Sequence, residues 1–223
     1  MTIEIKKRII TSILLFILLI VMSFYTYILI LSLILIGIIG WIEFYALISK
    51  IYKKKNYNDT FLRFILKTIS LLYLSYVVFI IILSKLNLPH LYILIIYIIL
   101  ISVMTDIGGL IVGKIFKGKK LTKISPNKTI SGSIGSFVFS LFLIPFFFKF
   151  LSLNIKMSIF DIVLITLSIS LISQLGDLFI SFMKRKANVK NTSDLLPGHG
   201  GILDRIDGII FAIPLGILLF KLF

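Results

Sequence analysis

The chain has 223 residues, of which 59% are hydrophobic, and its mean hydropathy is +1.12. Soluble domains are about half apolar and break their apolar runs with charge, so this composition excludes an ordinary soluble domain. The net charge of +15 lies in short loops between apolar runs, which argues against a nucleic-acid partner. With no cysteine, the chain has no disulfide, thiolate metal site or cysteine nucleophile.

Apolar runs of about 20 residues recur along the chain, which is the length that a helix needs to cross a bilayer. We therefore predict an all-α fold, a polytopic integral membrane helical bundle with about seven transmembrane helices and a range of about six to eight. The predicted helices lie at about residues 9–24, 27–48, 61–84, 90–115, 131–152, 157–183 and 205–222. They form a single integral membrane domain, with N-terminal transmembrane helices in residues 1–100 and two polar loops in residues 101–223.

Lysine and arginine residues orient the chain, because cytoplasmic loops carry an excess of them. If the chain has seven spans, nearly all of the 24 Lys and Arg residues fall on one side of the membrane. The exceptions are Lys85, Lys149, Lys156 and Lys221. We therefore expect an integral protein of a bacterial inner membrane, with both polar loops facing the cytoplasm, where nucleotides are.

The fourth connection is rich in cations, glycines and hydroxyl groups. These are Asp106, Gly108, Gly109, Gly113, Lys114, Lys119, Lys120, Ser125, Lys128, Thr129, Ser131 and Gly132. A helix N-terminus with Ser or Thr and flanking lysines is a ready anion site. Ordinary N-capping explains Thr129 or Ser131 equally well.

The sixth predicted span carries a polar stripe, because Gln174, Asp177 and Ser181 recur at helical spacing in an apolar segment. Such a stripe faces the bundle interior or a water-filled cavity, since polar groups are costly against lipid. Asp177 is the sharpest candidate in the stripe. It can be a metal ligand or the partner of a lysine, and a purely structural Asp–Lys pair stays open.

Two carboxylates begin the last predicted span. Asp204 and Asp207 are three positions apart, so a helix places both on one face. Together with Asp177 they indicate a metal site, because Mg²⁺ prefers carboxylate oxygens and substrate phosphates. The alternative for one of them is a favourable interaction between an acidic first turn and the helix dipole.

The sixth connection also contains a glycine-rich run, Pro197-Gly-His199-Gly200-Gly201. Glycine backbones can turn sharply and approach a phosphate closely, although a plain re-entry turn has the same composition. Lysine and arginine residues precede this run where phosphates would need neutralisation, at Lys184, Arg185 and Lys190. A positively charged collar beside the membrane is the alternative for them.

The two connections together resemble the signature of phosphatidate cytidylyltransferases (CDP-diacylglycerol synthases), which join CTP to phosphatidic acid at the membrane. The resemblance covers roughly residues 100–210, and both blocks occur in the family's order. Matching positions are the Asp-x-Gly end of the fourth span, the Ser-Pro-x-Lys-Thr run, Ser181, Lys184, Arg185, Lys190, Pro197, His199, Gly200, Gly201, Asp204, Arg205 and Asp207. The departures are Asn191 in place of Asp, Ile130 and Ser131 in place of Trp-Glu, and Ile180 where Glu is common.

The resemblance implies a nucleotidyltransferase of phospholipid biosynthesis that converts CTP and phosphatidate to CDP-diacylglycerol and diphosphate, with residues 101–223 as its catalytic region. Asp177, Asp204 and Asp207 would be catalytic and hold Mg²⁺, and a second cation stays open. The implied substrate-binding residues are Ser125, Lys128, Ser181, Lys184, Arg185, Lys190, Gly200, Gly201 and Arg205. His199 would be a general base, a phosphate ligand or a turn cap, and we favour a positioning role because phosphatidate oxygens are already ionised. CTP and phosphatidate are the implied partners, and a homodimer stays open.

Two other classes are considered. A transporter of an anionic substrate would be expected to show paired half-chain repeats with broken helices, and the sequence has no internal repeat. Another CDP-lipid enzyme, a CDP-alcohol phosphatidyltransferase, would carry an Asp-Gly-x2-Ala-Arg…Gly-x3-Asp-x3-Asp run, which is missing. We predict instead that the two polar blocks converge on one cavity facing the cytoplasm.

Overall fold

A computed structural model describes residues 3–52, 57–122, 124–154 and 157–222. Within these ranges the chain forms eight helices and no strand beyond two isolated bridges in loops, which confirms the all-α class. The helices are α1 (Ile3–Phe24), α2 (Thr26–Ile51), α3 (Tyr57–Asn87), α4 (Pro89–Phe116), α5 (Ile130–Leu141), α6 (Ile144–Asn154), α7 (Ile159–Lys186) and α8 (Leu203–Leu222). Of the lysines used to orient the chain, Lys53, Lys54, Lys55, Lys123 and Lys156 lie outside the described residues.

Four helices of the described chain, α2, α3, α4 and α7, are long and apolar enough to cross a membrane. The pair α5 and α6 makes a fifth candidate span, bent by 51°. The single helix expected at 131–152 is thus broken, because Pro145 lacks an N–H and its ring clashes with the preceding turn. Helices α1 and α8 lie where the first and last spans were predicted, and their crossing of the membrane stays a prediction.

The chain folds as two compact units. The first comprises Met1–Leu86 and Met183–Ile206, and the second comprises Asn87–Phe182 and Asp207–Phe223. The first unit buries Leu47, Ile48 and Leu203, and the second buries an isoleucine-rich set on α4 and α7. The sequence analysis divided the chain by expected role into residues 1–100 and residues 101–223, and that division stays a prediction.

Glycine residues let α4 and α5 approach closely in the second unit. A Cβ atom at Gly132 would lie 2.7 Å from the carbonyl oxygen of Gly109, so only a residue without a side chain fits there. Nearby, the hydroxyl of Ser136 donates to the carbonyl of Thr105 at 2.7 Å, and the Thr105 hydroxyl donates to Ser170 at 2.8 Å. These bonds satisfy polar groups buried among apolar helices and fix α4 against α5 and α7.

Candidate functional site

The second unit contains a cavity of about 580 Å³, a volume typical of small-molecule sites. It is lined by α4, the loop after it, α5 and α7. The lining residues are Thr105, Asp106, Gly109, Leu110, Gly113, Lys114, Leu121, Asn127, Lys128, Thr129, Gly132, Ser133, Ser136, Gln174 and Asp177. The upstream polar block and the stripe on α7 therefore share one cavity, whereas Ser125 is not among the residues that line it.

An ion pair joins the two sides of this cavity. The ammonium group of Lys128 contacts the carboxylate of Asp177, and the side chains are 27% and 25% exposed, so the pair is accessible to a ligand. The hydroxyl of Ser181 is 3.4 Å from the other carboxylate oxygen of Asp177. The structure therefore supplies the lysine partner that the sequence analysis considered for Asp177, and the metal role of Asp177 stays a prediction.

The prediction that the stripe on α7 faces a cavity is confirmed at Gln174 and Asp177. The side-chain oxygen of Gln174 accepts a hydrogen bond from Ser133 at 2.5 Å. Its amide nitrogen is buried and, within the described residues, has no hydrogen-bond partner. A buried donor without an acceptor is rare in folded proteins, so this N–H group is available to a ligand in the cavity.

The loop that carries Lys128 is held by its own backbone. The Lys128 N–H donates to the carbonyl of Ser125 at 3.1 Å, and the Leu121 N–H donates to the carbonyl of Lys128 at 2.8 Å. Thr129 is the N-cap of α5, since its hydroxyl accepts from the Gly132 N–H at 3.0 Å. The capping explanation of Thr129 is confirmed, and Ser125 acts here as a turn residue behind Lys128.

In the first unit, Asp204 organises the polar loop between α7 and α8. One carboxylate oxygen is 2.6 Å from the Lys184 ammonium group, and the other accepts from the backbone N–H groups of Thr192 and Gly201 at 2.9 and 3.0 Å. Burial alone would raise the pKa of Asp204, but these hydrogen bonds and the Lys184 charge outweigh it and lower the pKa below its ordinary value. Asp204 is therefore ionised at neutral pH and holds Lys184 in place.

Glu43 of α2 is a functional-site candidate that the sequence analysis did not identify. Its side chain is 4% exposed, and its carboxylate accepts from the hydroxyls of Thr192 and Ser193 at 2.7 and 2.6 Å. It also accepts from the backbone N–H groups of Ile202 and Leu203 at 3.0 and 2.8 Å, where α8 begins. A carboxylate within an apolar span is costly unless it has a role, and that signal could have found Glu43.

The glycine-rich run forms a tight turn in the first unit. Gly198 and Gly200 have φ angles of 78° and 80°, and the Leu196 N–H donates to the Gly200 carbonyl at 2.8 Å. The Arg205 guanidinium donates to the carbonyl of His199, so it braces this turn. Nδ1 of His199 is buried and lacks a partner in the part of the chain that the structure describes. The phosphate-binding roles of Arg205, Gly200 and Gly201 stay predictions.

The remaining predicted site residues lie in different environments. Arg185 and Lys190 are exposed, and Asp207 is 8% exposed with a carboxylate oxygen 3.0 Å from the Gly208 N–H. In the second unit a Cβ atom at Gly176 would lie 2.9 Å from the carbonyl oxygen of Asp207, so α7 and α8 cross next to Asp177.

Among the described residues, no three His, Cys, Asp or Glu side chains form a group that could hold a metal ion. Metal binding by Asp177, Asp204 and Asp207 stays a prediction.

The fold and these sites define an α-helical integral membrane protein with a cation-bearing polar cavity. The chain belongs to the cytidylyltransferase family, whose sequence profile matches residues 4–223. It is 43% identical over 122 residues to the phosphatidate cytidylyltransferase of Staphylococcus haemolyticus (strain JCSC1435), and 44% identical over 122 residues to that of Staphylococcus aureus (strain COL). Each alignment covers 54% of this chain and 46% of the relative. The chain thus spans about half the length of the curated relatives that it matches.

Proposed function

We propose that this chain is a nucleotidyltransferase that converts CTP and phosphatidate to CDP-diacylglycerol and diphosphate in phospholipid biosynthesis. Membership of the cytidylyltransferase family and the activity named for the staphylococcal relatives support this proposal. The observation that carries it is the Lys128–Asp177 pair, which lies at the wall of a cavity of about 580 Å³ lined by α4, α5, α7 and the basic loop after α4.

In the proposed reaction, an oxygen of the phosphatidate phosphate attacks the α-phosphorus of CTP. The bond from that phosphorus to the oxygen bridging to the β-phosphate breaks, and diphosphate leaves with the electron pair. The attacking oxygen is already ionised, so no general base is required, and catalysis depends on positioning and charge neutralisation. In the cavity, Lys128 supplies positive charge, the N-terminus of α5 favours an anion, and Gln174 offers an N–H donor.

The loop of the first unit would bind substrate phosphates through Lys184, Arg185, Lys190 and Arg205. The ion pair with Asp204 restricts Lys184, which lowers the entropy lost when it binds a phosphate. His199 would position the turn, since its ring atom Nε2 lies 3.3 Å from the hydroxyl oxygen of Ser12. Ser181, Gly200 and Gly201 would complete the substrate contacts.

Magnesium is part of the proposal, with Asp177, Asp204 and Asp207 as its ligands. Carboxylate oxygens are the donors that Mg²⁺ prefers, and the bound ion would neutralise the triphosphate. However, Asp177 and Asp204 already have lysine partners, so we assign no step to the metal.

The chain would lie in the bacterial inner membrane with both loops in the cytoplasm and without a nucleic-acid partner. Sizing of the purified protein would show whether it is a homodimer.

The test is to incubate the purified chain with labelled CTP, phosphatidate and Mg²⁺ and to extract the lipids. We expect a lipid-soluble cytidine product that depends on added phosphatidate and equals the diphosphate released. The Lys128→Ala variant is the matched negative control. A folded, monodisperse wild-type protein that forms no such product would contradict the proposed reaction.

A further inference from the structure

The first unit contains a second cavity, of about 340 Å³, between α2 and α3. It is lined by Trp41, Tyr45, Thr60, Arg63, Phe64, Lys67, Thr68 and Leu71. None of these residues belongs to the polar loops or to the cavity that holds the Lys128–Asp177 pair. The proposed reaction therefore gives this cavity no task.

Two cations of α3 line this cavity, one helical turn apart. Neither Arg63 nor Lys67 forms an ion pair with a carboxylate within residues 3–52, 57–122, 124–154 and 157–222. Residues 53–56, between α2 and α3, are Lys-Lys-Lys-Asn and contain no carboxylate either. Asp59 lies one helical turn before Arg63, so one carboxylate and two cations share this end of α3, and a net positive charge remains at the cavity.

Both cations lie near the first end of the span predicted at residues 61–84, where an unbalanced charge is costly. Helix α3 is long and apolar enough to cross a membrane and begins at Tyr57. At 1.5 Å per residue, Arg63 is about 9 Å and Lys67 about 15 Å along the helix from its start. Basic side chains at such positions are stable when they reach the lipid headgroups or meet an anion.

Aromatic side chains shape the cavity wall. The Lys67 ammonium group lies 3.2 Å from the ring centroid of Tyr45, and the indole N–H of Trp41 donates to the backbone carbonyl of Lys67 at 3.3 Å. The rings of Trp41 and Tyr45 pack edge to face, with 5.5 Å between their centroids. These contacts hold α2 to α3 and fix the Lys67 charge at the cavity. Tryptophan and tyrosine are typical of the membrane interface, at the level of lipid headgroups.

We propose that the cavity between α2 and α3 binds the phosphate headgroup of an anionic membrane phospholipid, at a site separate from that of the reaction. The planar Arg63 guanidinium donates to two phosphate oxygens, and Lys67 supplies the second positive charge. Phe64 and Leu71 offer apolar surface to the start of the acyl chains. This apolar surface favours a lipid over a soluble phosphate, and basic pockets between membrane helices bind such headgroups.

The test uses the purified full chain in a neutral detergent, with bound lipid measured by native mass spectrometry. We expect retention of phosphatidylglycerol over phosphatidylcholine by at least about tenfold, and loss of that preference in the Arg63→Gln/Lys67→Gln variant. The matched control, Lys50→Gln/Lys221→Gln, removes two exposed charges elsewhere and should keep the preference. A charge-preserving Arg63→Lys variant should retain most of it. If the double variant cannot be purified, the same loss of lipid preference is measured in the Arg63→Gln single variant.

Two further arms identify the occupant. Retention of phosphatidylglycerol by Lys128→Ala is expected, and its loss would assign the lipid to the substrate cavity and overturn the proposal. Excess inorganic phosphate should leave the lipid bound, since the apolar contacts remain. Complete displacement by phosphate would identify a soluble anion as the occupant and overturn the lipid assignment. Wild-type preference in Arg63→Gln/Lys67→Gln would also overturn it.

Discussion

The carboxylate of Glu43 in α2 accepts a hydrogen bond of 2.8 Å from the backbone N–H of Leu203, 160 positions later, where α8 begins. The first N–H groups of a helix have no partner within it, and a negative charge also suits the positive end of the helix dipole. Glu43 thus caps α8 from another helix. Because it also binds Thr192 and Ser193, it connects the start of α8 to the loop that holds Asp204.

Replacement of Glu43 by glutamine should destabilise the protein. The amide offers one acceptor where the carboxylate has two, and its NH₂ group faces hydroxyl and backbone donors. We expect a loss of about 2–4 kcal/mol, visible as a lower melting temperature in detergent, together with reduced product formation. Asp194→Asn, an exposed carboxyl of the same loop, is the matched control and should change neither. A fully stable and active Glu43→Gln protein would contradict the capping role.

The Lys128–Asp177 pair can be tested by a double-mutant cycle. If the pair is only structural, Lys128→Met and Asp177→Asn should each lower the melting temperature, and the double variant should recover part of the loss. If the pair serves the reaction, each change should lower kcat/KM by at least about 100-fold, and the double variant should remain inactive. We expect the loss of activity in both single variants and in the double variant. Full activity of Asp177→Asn would show that the pair does not serve the reaction.

Gly201→Ala should overpack the first unit. A Cβ atom there would lie 2.0 Å from the Thr192 hydroxyl oxygen and 2.4 Å from a Glu43 carboxylate oxygen, so the loop must shift. A loss of about 1–3 kcal/mol is expected, measured as thermal stability. Gly40→Ala is the matched control, because its Cβ atom would meet nothing closer than Ile206 at 3.9 Å. Equal stability of the two variants would show that the loop has room.

Single cysteines can test the predicted topology, since the chain has none of its own. Thr192 is buried and bonded to Glu43, so Asp194→Cys is the better probe of the sixth connection, and Lys119→Cys probes the fourth. In intact cells, an impermeant thiol reagent should label neither of them. Lys149→Cys, on the predicted outer side, should react and serves as the positive control. Labelling of Lys119→Cys or Asp194→Cys from outside would overturn the orientation.

Product formation is expected to depend on magnesium bound by Asp204 and Asp207. Chelation should stop product formation, and Asp207→Asn should lower turnover at least about 100-fold in protein that still inserts. Asp204→Asn should also lose stability, because Asp204 binds Lys184, Thr192 and Gly201. Near-normal activity of both variants would contradict the metal assignment.

Some features of the site follow from short-range patterns in the sequence. The spacing of Gln174 and Asp177 predicted a face turned to the interior, and both residues line the cavity of the second unit. Thr129 before α5 suited an N-cap and is one. The break between α5 and α6 was missed, although Pro145 marks it. Glu43 was not identified, since one carboxylate in a span does not reveal its partners.

The membrane class, the helical segments, the polar faces and the basic loops could be predicted from the residues alone, because these features depend on residue hydrophobicity and on helical periodicity over a few turns. The contacts of Lys128 with Asp177 and of Lys184 with Asp204, 20 positions away, became visible in the folded chain, as did the capping of α8 by Glu43. Such pairs depend on which helices pack together. Packing follows from the fit of glycines and bulky side chains over the whole chain, and no local pattern records it.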